Sequence, residues 1–296
     1  MSSNIIINKR NITGSMNSQF EYVLPKRLEV KNDDKYKISL THLNVYLSWP
    51  NITVGYNNNK IIYSFWNMSG VLEPFEIVIT PGYYELSDIY AYIQKEMFNR
   101  GHYLEHATTG DIMYFFSVRT NSTYYAHEFL FYSIGSNYED LASWKTPTTW
   151  QIPTNWECMN IIFPTYGTIN EYFGFETGTV APLNVVNTGT SQTLYSILSQ
   201  QAPQLMPSSS YLILCNMVNN ELSEEKRVLS SFTIPNNIYY GDVINIDANP
   251  IYTAIQPGIY DQVRVEIVDQ DYRRLQVIDP EILINLSVIK NDIWEN

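Results

Sequence analysis

Two cysteines, Cys158 and Cys215, are all that this 296-residue chain contains, and they stand far apart. This excludes a cysteine-rich zinc cluster and the closely spaced disulfide framework of a small secreted domain, and points to a reducing compartment. Basic side chains are also scarce: 18 Lys and Arg face 30 Asp and Glu, a formal net charge of −12. A surface that neutralises phosphates needs clustered Lys and Arg. The basic pairs near the start, Lys9-Arg10 and Lys26-Arg27, are short, so direct nucleic-acid binding is not expected beyond the N-terminal arm. Long apolar runs are missing as well. The longest, from Tyr211 to Val218, is interrupted by Asn216 and falls well below the roughly 20 residues of a membrane-spanning helix, so no membrane span is expected. Ile5-Ile6-Ile7 is the only apolar run near the start, too short for a signal peptide. Charged residues make up 16% against 45% hydrophobic, which excludes a disordered chain and supplies a sizeable core.

Aromatic residues are plentiful: 24 Tyr, 12 Phe and 6 Trp. Tyrosine favours strands, and it is enriched in interfaces, where the ring is buried and the hydroxyl stays hydrogen-bonded. Residues 1–18 are polar and aperiodic and read as a flexible N-terminal arm. Strands are expected over 19–30, in two short runs around Pro25, over 35–49, where Tyr36, Ile38 and Leu40 share a face, and over 60–66. Asp33-Asp34 and Asn57-Asn58-Asn59 mark the turns between them. Phe75, Ile77 and Ile79 alternate up to Pro81-Gly82. Ser87 then caps a helix with Asp88 in its first turn. Ile89, Ile93 and Met97 form its apolar face, and Gly101 takes the left-handed position after it. Strands over 113–118 and 128–134 precede a looser stretch, 136–207, which holds Trp144, Trp150 and Trp156. Alternation returns over 211–218, 227–235, 243–255, 261–269 and 281–290, with Ile282, Ile284, Leu286 and Val288 in strict period two. The pattern predicts a mainly β sandwich built from 19–66 and 208–296, with an α+β insertion over 67–207.

Few residues invite chemistry. His102-Tyr103-Leu104-Glu105-His106 has the H-x-x-E-H spacing of inverted zinc proteases, which requires both histidines on one turn of a continuous helix and a third ligand. Gly101 is expected to end the helix first, and no third ligand follows, so these histidines read as surface or loop residues. Cys158 carries no nucleophile signature around it, and Cys215 lies in a strand that reads as core. Asp269 and Asp271 read as a solvated turn rather than a cation site. No catalytic residue, metal site or cofactor is expected, and the chain reads as a non-enzyme.

Several stretches carry a family resemblance in a fixed order. They are LTHLNVYLSWPNI (40–52), ITPGYYELSDIYAYIQKEM (79–97), INEYFGFETGTV (169–180), YLILCNMVNN (211–220) with VLSSFTIP (228–235), and YDQVRVEIVDQDYRRL (260–275) with EILINLSVIKN (281–291). Together they resemble the penton, or minor capsid, proteins of virophages and the related Polinton/Maverick elements. The chain departs from that pattern at Tyr272, where a glycine is expected in the turn. The resemblance implies a mainly β fold, a single jelly-roll sandwich closed by a hairpin of 260–275 and 281–291, with the inserted α+β upper domain facing outward. It also implies a homopentameric penton capsomer at the icosahedral five-fold vertices of a virion assembled inside the host cell. Contact with a double-jelly-roll major capsid protein follows, with a host-surface receptor as a partner of the insertion. The arm with Lys9 and Arg10 is expected to order on assembly, so that deleting 1–18 impairs assembly and leaves the fold intact. The alternative is a glycan- or receptor-binding β-sandwich module, displaying Trp144, Trp150 and Trp156 from its middle.

Overall fold

The computed structural model describes residues 2–31, 36–183, 185, 189–221, 223–235 and 237–290. The turn expected at Asp33-Asp34, and Asn291 at the end of the last motif, lie outside the described residues. The protein is mainly β and divides into two compact units, 1–50 with 208–296, and 51–207.

The first unit contains β1 (Ser2–Asn8), β2 (Gln19–Val30), β3 (Tyr36–Tyr46), β14 (Tyr211–Cys215), β15 (Val228–Phe232), β16 (Val243–Asp247), β17 (Thr253–Ala254), β18 (Gly258–Asp269) and β19 (Ile282–Lys290). One antiparallel sheet has the order β1-β19-β3-β16, with the two-residue β17 also on β3; the other has the order β2-β18-β14-β15. Counting the eight longer strands along the chain, the sheets read 1-8-3-6 and 2-7-4-5. That is the double Greek-key order of a jelly roll. Ile5, Ile7, Ile38, Leu40, Ile284 and Leu286 are buried from the first sheet, and Phe20, Val263, Val265, Ile267, Tyr211 and Ile213 from the second.

Strand β3 changes phase in the middle. Ile38 and Leu40 are buried at even positions, Leu43 and Val45 at odd ones. The cause is a β-bulge: Leu286 pairs with Leu40 and Asn285 with His42, so Thr41 is the extra residue, and its hydroxyl donates to the Asn285 carbonyl at 3.1 Å. Strand β19 therefore keeps strict period two while β3 cannot. A second bulge lies at Pro25. Val23 pairs with Gln262 and Leu28 with Tyr260, leaving residues 24–27 opposite Asp261 alone. Proline has no N–H to give a ladder, and here it sits on an edge strand where none is needed.

Three expectations are corrected in this unit. Residues 1–18 are not an arm: Ser2–Asn8 is a strand paired with Leu283–Ile289, and Ile5 and Ile7 enter the core. Three apolar residues show no period by themselves, and only the partner strand makes them a β element. The segments 258–269 and 282–290 do not form a hairpin, because β18 and β19 lie in opposite sheets. After the turn the chain keeps one bridge, Val268 to Arg274, and then crosses with Leu275 and Val277 buried. Finally, 243–255 is broken into β16 and β17.

The second unit contains β4 (Lys60–Trp66), β5 (Leu72–Val78), β6 (Leu104–His106), β7 (Ile112–Met113), β8 (Phe116–Asn121), β9 (Ala126–Tyr132), β10 (Trp144–Lys145), β11 (Asn160–Phe163), β12 (Gly178–Val180), β13 (Leu194–Leu198) and the helices α1 (Leu86–Asn99) and α2 (Asn170–Phe173). Three antiparallel sheets, β5-β4-β11-β12, β8-β9-β13 and β7-β6-β10, share this unit. Its core is densely aromatic, with Phe65, Trp66, Phe115, Phe129, Phe131 and Phe163 almost fully buried. Helix α1 adds Ile89, Ile93 and Met97 from one face. The sequence reading assigned 60–66 to the sandwich; the strand forms, but it pairs with β5 and β11 inside the insertion, which begins at Asn51. Alternation marks a strand and does not name its partner. The helix is capped at Glu85 rather than Ser87, with the Asp88 carboxylate accepting the Glu85 N–H at 2.9 Å. Gly101 follows it at φ +72°, where a Cβ would lie 2.7 Å from the Thr149 hydroxyl.

Candidate functional site

In the jelly-roll unit the outer edges of β1 and β2 pair with no strand among the described residues. A groove of about 730 Å³ runs between them. Ile5, Leu24, Leu28 and Val288 contribute apolar surface, and Lys26, Arg27 and Lys290 add positive charge to an otherwise acidic protein. The Lys290 ammonium lies 5.1 Å from the centre of the Tyr36 ring, and Arg27 Nε donates to Asp261 Oδ1 at 2.7 Å. The outer edge of β2 carries one bridge, Phe20 to Ile12, and Glu29 also lines the groove; the rest of this edge and the edge of β1 suit main-chain pairing with another polypeptide. Large apolar side chains are exposed elsewhere on this unit, among them Ile6, Val23, Tyr239, Ile251, Ile259 and Ile278.

None of the residues weighed for catalysis assembles into a reactive group. His102 follows α1 and is buried; its Nδ1 shares a 2.8 Å hydrogen bond with the Tyr63 hydroxyl, and its ring stacks on Phe65 at 4.4 Å. Burial, and then the Arg100 charge, push its pKa down to about 4, so it is a neutral core imidazole. His102 lies in the loop between α1 and β6, as the sequence suggested, but it is buried there and not at the surface. His106 lies instead in β6, where Nδ1 accepts the Thr109 N–H at 3.1 Å. The two histidines therefore share no helical turn, and the H-x-x-E-H geometry does not arise. Cys158 and Cys215 are both buried, and burial raises their thiols to about 12 and about 11, far from a thiolate nucleophile.

The Asp269 turn is also different from expectation. Asp269 is fully buried rather than solvated. Its carboxylate accepts the N–H groups of Asp271 and Arg273, each at 2.9 Å, and Arg273 Nε at 2.7 Å. It is a turn organiser, with three hydrogen bonds already accepted on its two oxygens. The three tryptophans expected on one surface are separated by burial. Trp150 and Trp156 are in the core, and only Trp144 is half-exposed. Trp144 stands in a small cleft with Tyr90, Tyr114 and Tyr132. Those tyrosines escaped the sequence reading because they come from three separate elements. The one local signal is Tyr90 with Gln94, one helical turn apart.

No protein-family model and no curated protein sequence matches this chain. Among solved structures, the chain is similar to the crystal structure of the selenomethionine-labelled mavirus penton protein, with a TM-score of 0.48, 11% identity, and 99% of each chain covered. It is also similar to a chain in the cryo-EM structure of the Sputnik virophage, with a TM-score of 0.45 and 14% identity, covering 98% of this chain and 97% of that one.

Proposed function

We propose that this protein is a structural subunit of a viral capsid, forming homopentameric pentons at icosahedral five-fold vertices beside a double-jelly-roll major capsid protein. The observation that carries the reading is the strand order 1-8-3-6 and 2-7-4-5, interrupted between its third and fourth long strands by a whole second unit. The ordered sequence motifs described above resemble penton proteins at the same places: the end of β3, helix α1, and strands β14, β18 and β19. A vertex subunit works by surface complementarity. Copies related by a five-fold axis meet through a heterologous interface that closes as a ring, and obligate interfaces typically bury roughly 2,000–5,000 Å². The β1 edge, the β2 edge beyond its Ile12–Phe20 bridge, and the exposed apolar side chains of the jelly-roll unit offer such a surface, and the net charge of −12 keeps free subunits apart in solution. Packed sandwich cores deform little, which suits a load-carrying shell.

Native mass spectrometry of the purified protein is the direct test. The expected species has five times the 34.4 kDa chain mass and joins particles when the major capsid protein is supplied. A monomer that stays out of such particles overturns the reading.

A further inference from the structure

Helix α1, strands β7, β8, β9 and β10, and the segment leading into β13 line an open, shallow cleft of about 380 Å³ within the insertion. Five aromatic residues line it: Tyr90, Tyr114, Tyr132 and Trp144 are half-buried, and Phe116 is fully buried. Gln94 and Gln192 stand among them, and none of the described lining residues is Asp, Glu, Lys, Arg or His.

The wall is held rigidly from behind. The Tyr90 hydroxyl donates to the Phe116 carbonyl at 2.9 Å. Trp144 packs edge-on against the His106 ring at 5.1 Å, and its backbone pairs with His106 in the β6–β10 ladder. The Tyr132 N–H donates to the Phe115 carbonyl at 3.0 Å. Gln192 precedes Thr193, which exchanges hydrogen bonds with Ser133 in both directions, each at 3.0 Å. The Gln192 side-chain Nε2 is shielded from solvent and finds no acceptor among the described residues. A buried donor left alone is costly, so a turn of the Gln192 amide that brings Nε2 to a ligand acceptor in the cleft is favoured.

These features select among ligand classes. An anionic group needs a cation or a set of convergent donors, and no cation lines the cleft. A wholly apolar ligand would leave the Gln192 amide without a partner. A neutral sugar meets both demands, because its C–H face packs on aromatic planes and its hydroxyls accept from and donate to amides. The volume lies near the small end of ligand sites, roughly 300–1,000 Å³, which fits one or two sugar units better than a long chain.

We infer that this cleft binds a neutral glycan, one or two sugar units resting on the Trp144 and tyrosine rings and hydrogen-bonded to Gln94 and Gln192. The inference does not rest on pentamer formation, and a sugar-binding monomer would uphold it while defeating the assembly proposed above.

The test uses the full chain on an array carrying neutral and sialylated glycans, followed by titration with the methyl glycoside of the best neutral hit, read by tryptophan fluorescence and saturation-transfer NMR. Binding of neutral glycans is expected, weakened at least tenfold by Trp144→Ala and by Gln192→Leu, and unchanged by Tyr166→Ala, an exposed tyrosine outside the cleft. Near-UV circular dichroism checks that each variant keeps its packing. Gln94→Ala, on the half-exposed face of α1, provides a milder second variant. No binding of any neutral glycan, binding of sialylated glycans alone, or binding indifferent to all three cleft variants overturns the inference.

Discussion

Tyr272 has φ +61°, the left-handed region that favours glycine, in a turn whose sequence already looked short of one. The Asp269 carboxylate explains how a tyrosine holds that conformation: it fixes the turn through the N–H groups on both sides of Tyr272. A turn was legible in the residue types; the burial of Asp269 was not, because it depends on what covers the turn. The same limit applied to histidine. His102 and His127 are neutral in the core, and burial lowers both pKa values to about 4 from the ordinary 6.5. Between those values the unfolded chain binds more protons than the folded one. Their contribution is therefore complete above about pH 6.5, declines on acidification, and is fully lost below about pH 4. Glu128 acts in the same direction at lower pH. Hydrogen bonds from Arg119 and Ser196 draw its carboxyl down to about 2, so its contribution fades as pH falls below 4.5. The melting temperature should fall from pH 7 to pH 4 in differential scanning calorimetry, and His127→Leu should flatten the fall between 6.5 and 4. A profile that is level in the native protein contradicts this account.

At the scale of elements, the N-terminal strand shows how pairing can override a weak local signal. Strand β1 lays Ile5 and Ile7 on the inner face, with Ile6 outward, opposite the strictly alternating β19. Ile7→Ala should cost about 2–4 kcal/mol in urea denaturation, the range for buried large-to-small changes. Lys9→Ala, at an exposed ion pair with Glu281, should change stability by less than about 0.5 kcal/mol. Removing residues 1–8 should leave a protein that unfolds or aggregates. A stable, monodisperse truncated protein would restore the reading of this segment as an arm. Helix α1, by contrast, was legible almost to its ends, because Ile89, Ile93 and Met97 repeat every fourth residue and all three are buried. Strand β3 was legible as a strand but not as a bulged one, since its phase change is meaningful only against the unbroken period of β19.

At the scale of the whole molecule, the two units each close upon themselves. Within the insertion, the Asn51 amide donates to the Tyr84 and Leu205 carbonyls, both at 2.9 Å, and its side-chain oxygen accepts the Tyr84 N–H at 2.9 Å. The first residue of the insertion is thereby tied to Leu205, near its end. Within the jelly roll, the Trp49 indole donates to the Tyr211 hydroxyl at 3.2 Å, so the chain leaves and re-enters that unit at neighbouring points. Residues 51–207 expressed alone should fold cooperatively with a native near-UV spectrum, as should 1–50 joined to 208–296 by a short Gly/Ser linker. If either piece is molten by the same spectrum, the division into two autonomous units fails. The sequence by itself determined the β character, the position of helix α1, and the capacity for a sizeable core, because all of these follow from composition and short-range period. Tertiary structure alone decided which strands share a sheet, that 60–66 belongs to the insertion, that the last two long strands lie in opposite sheets, and that Trp144 meets three tyrosines in one cleft. Period tells each residue which face it occupies, and only long-range packing tells that face what it meets.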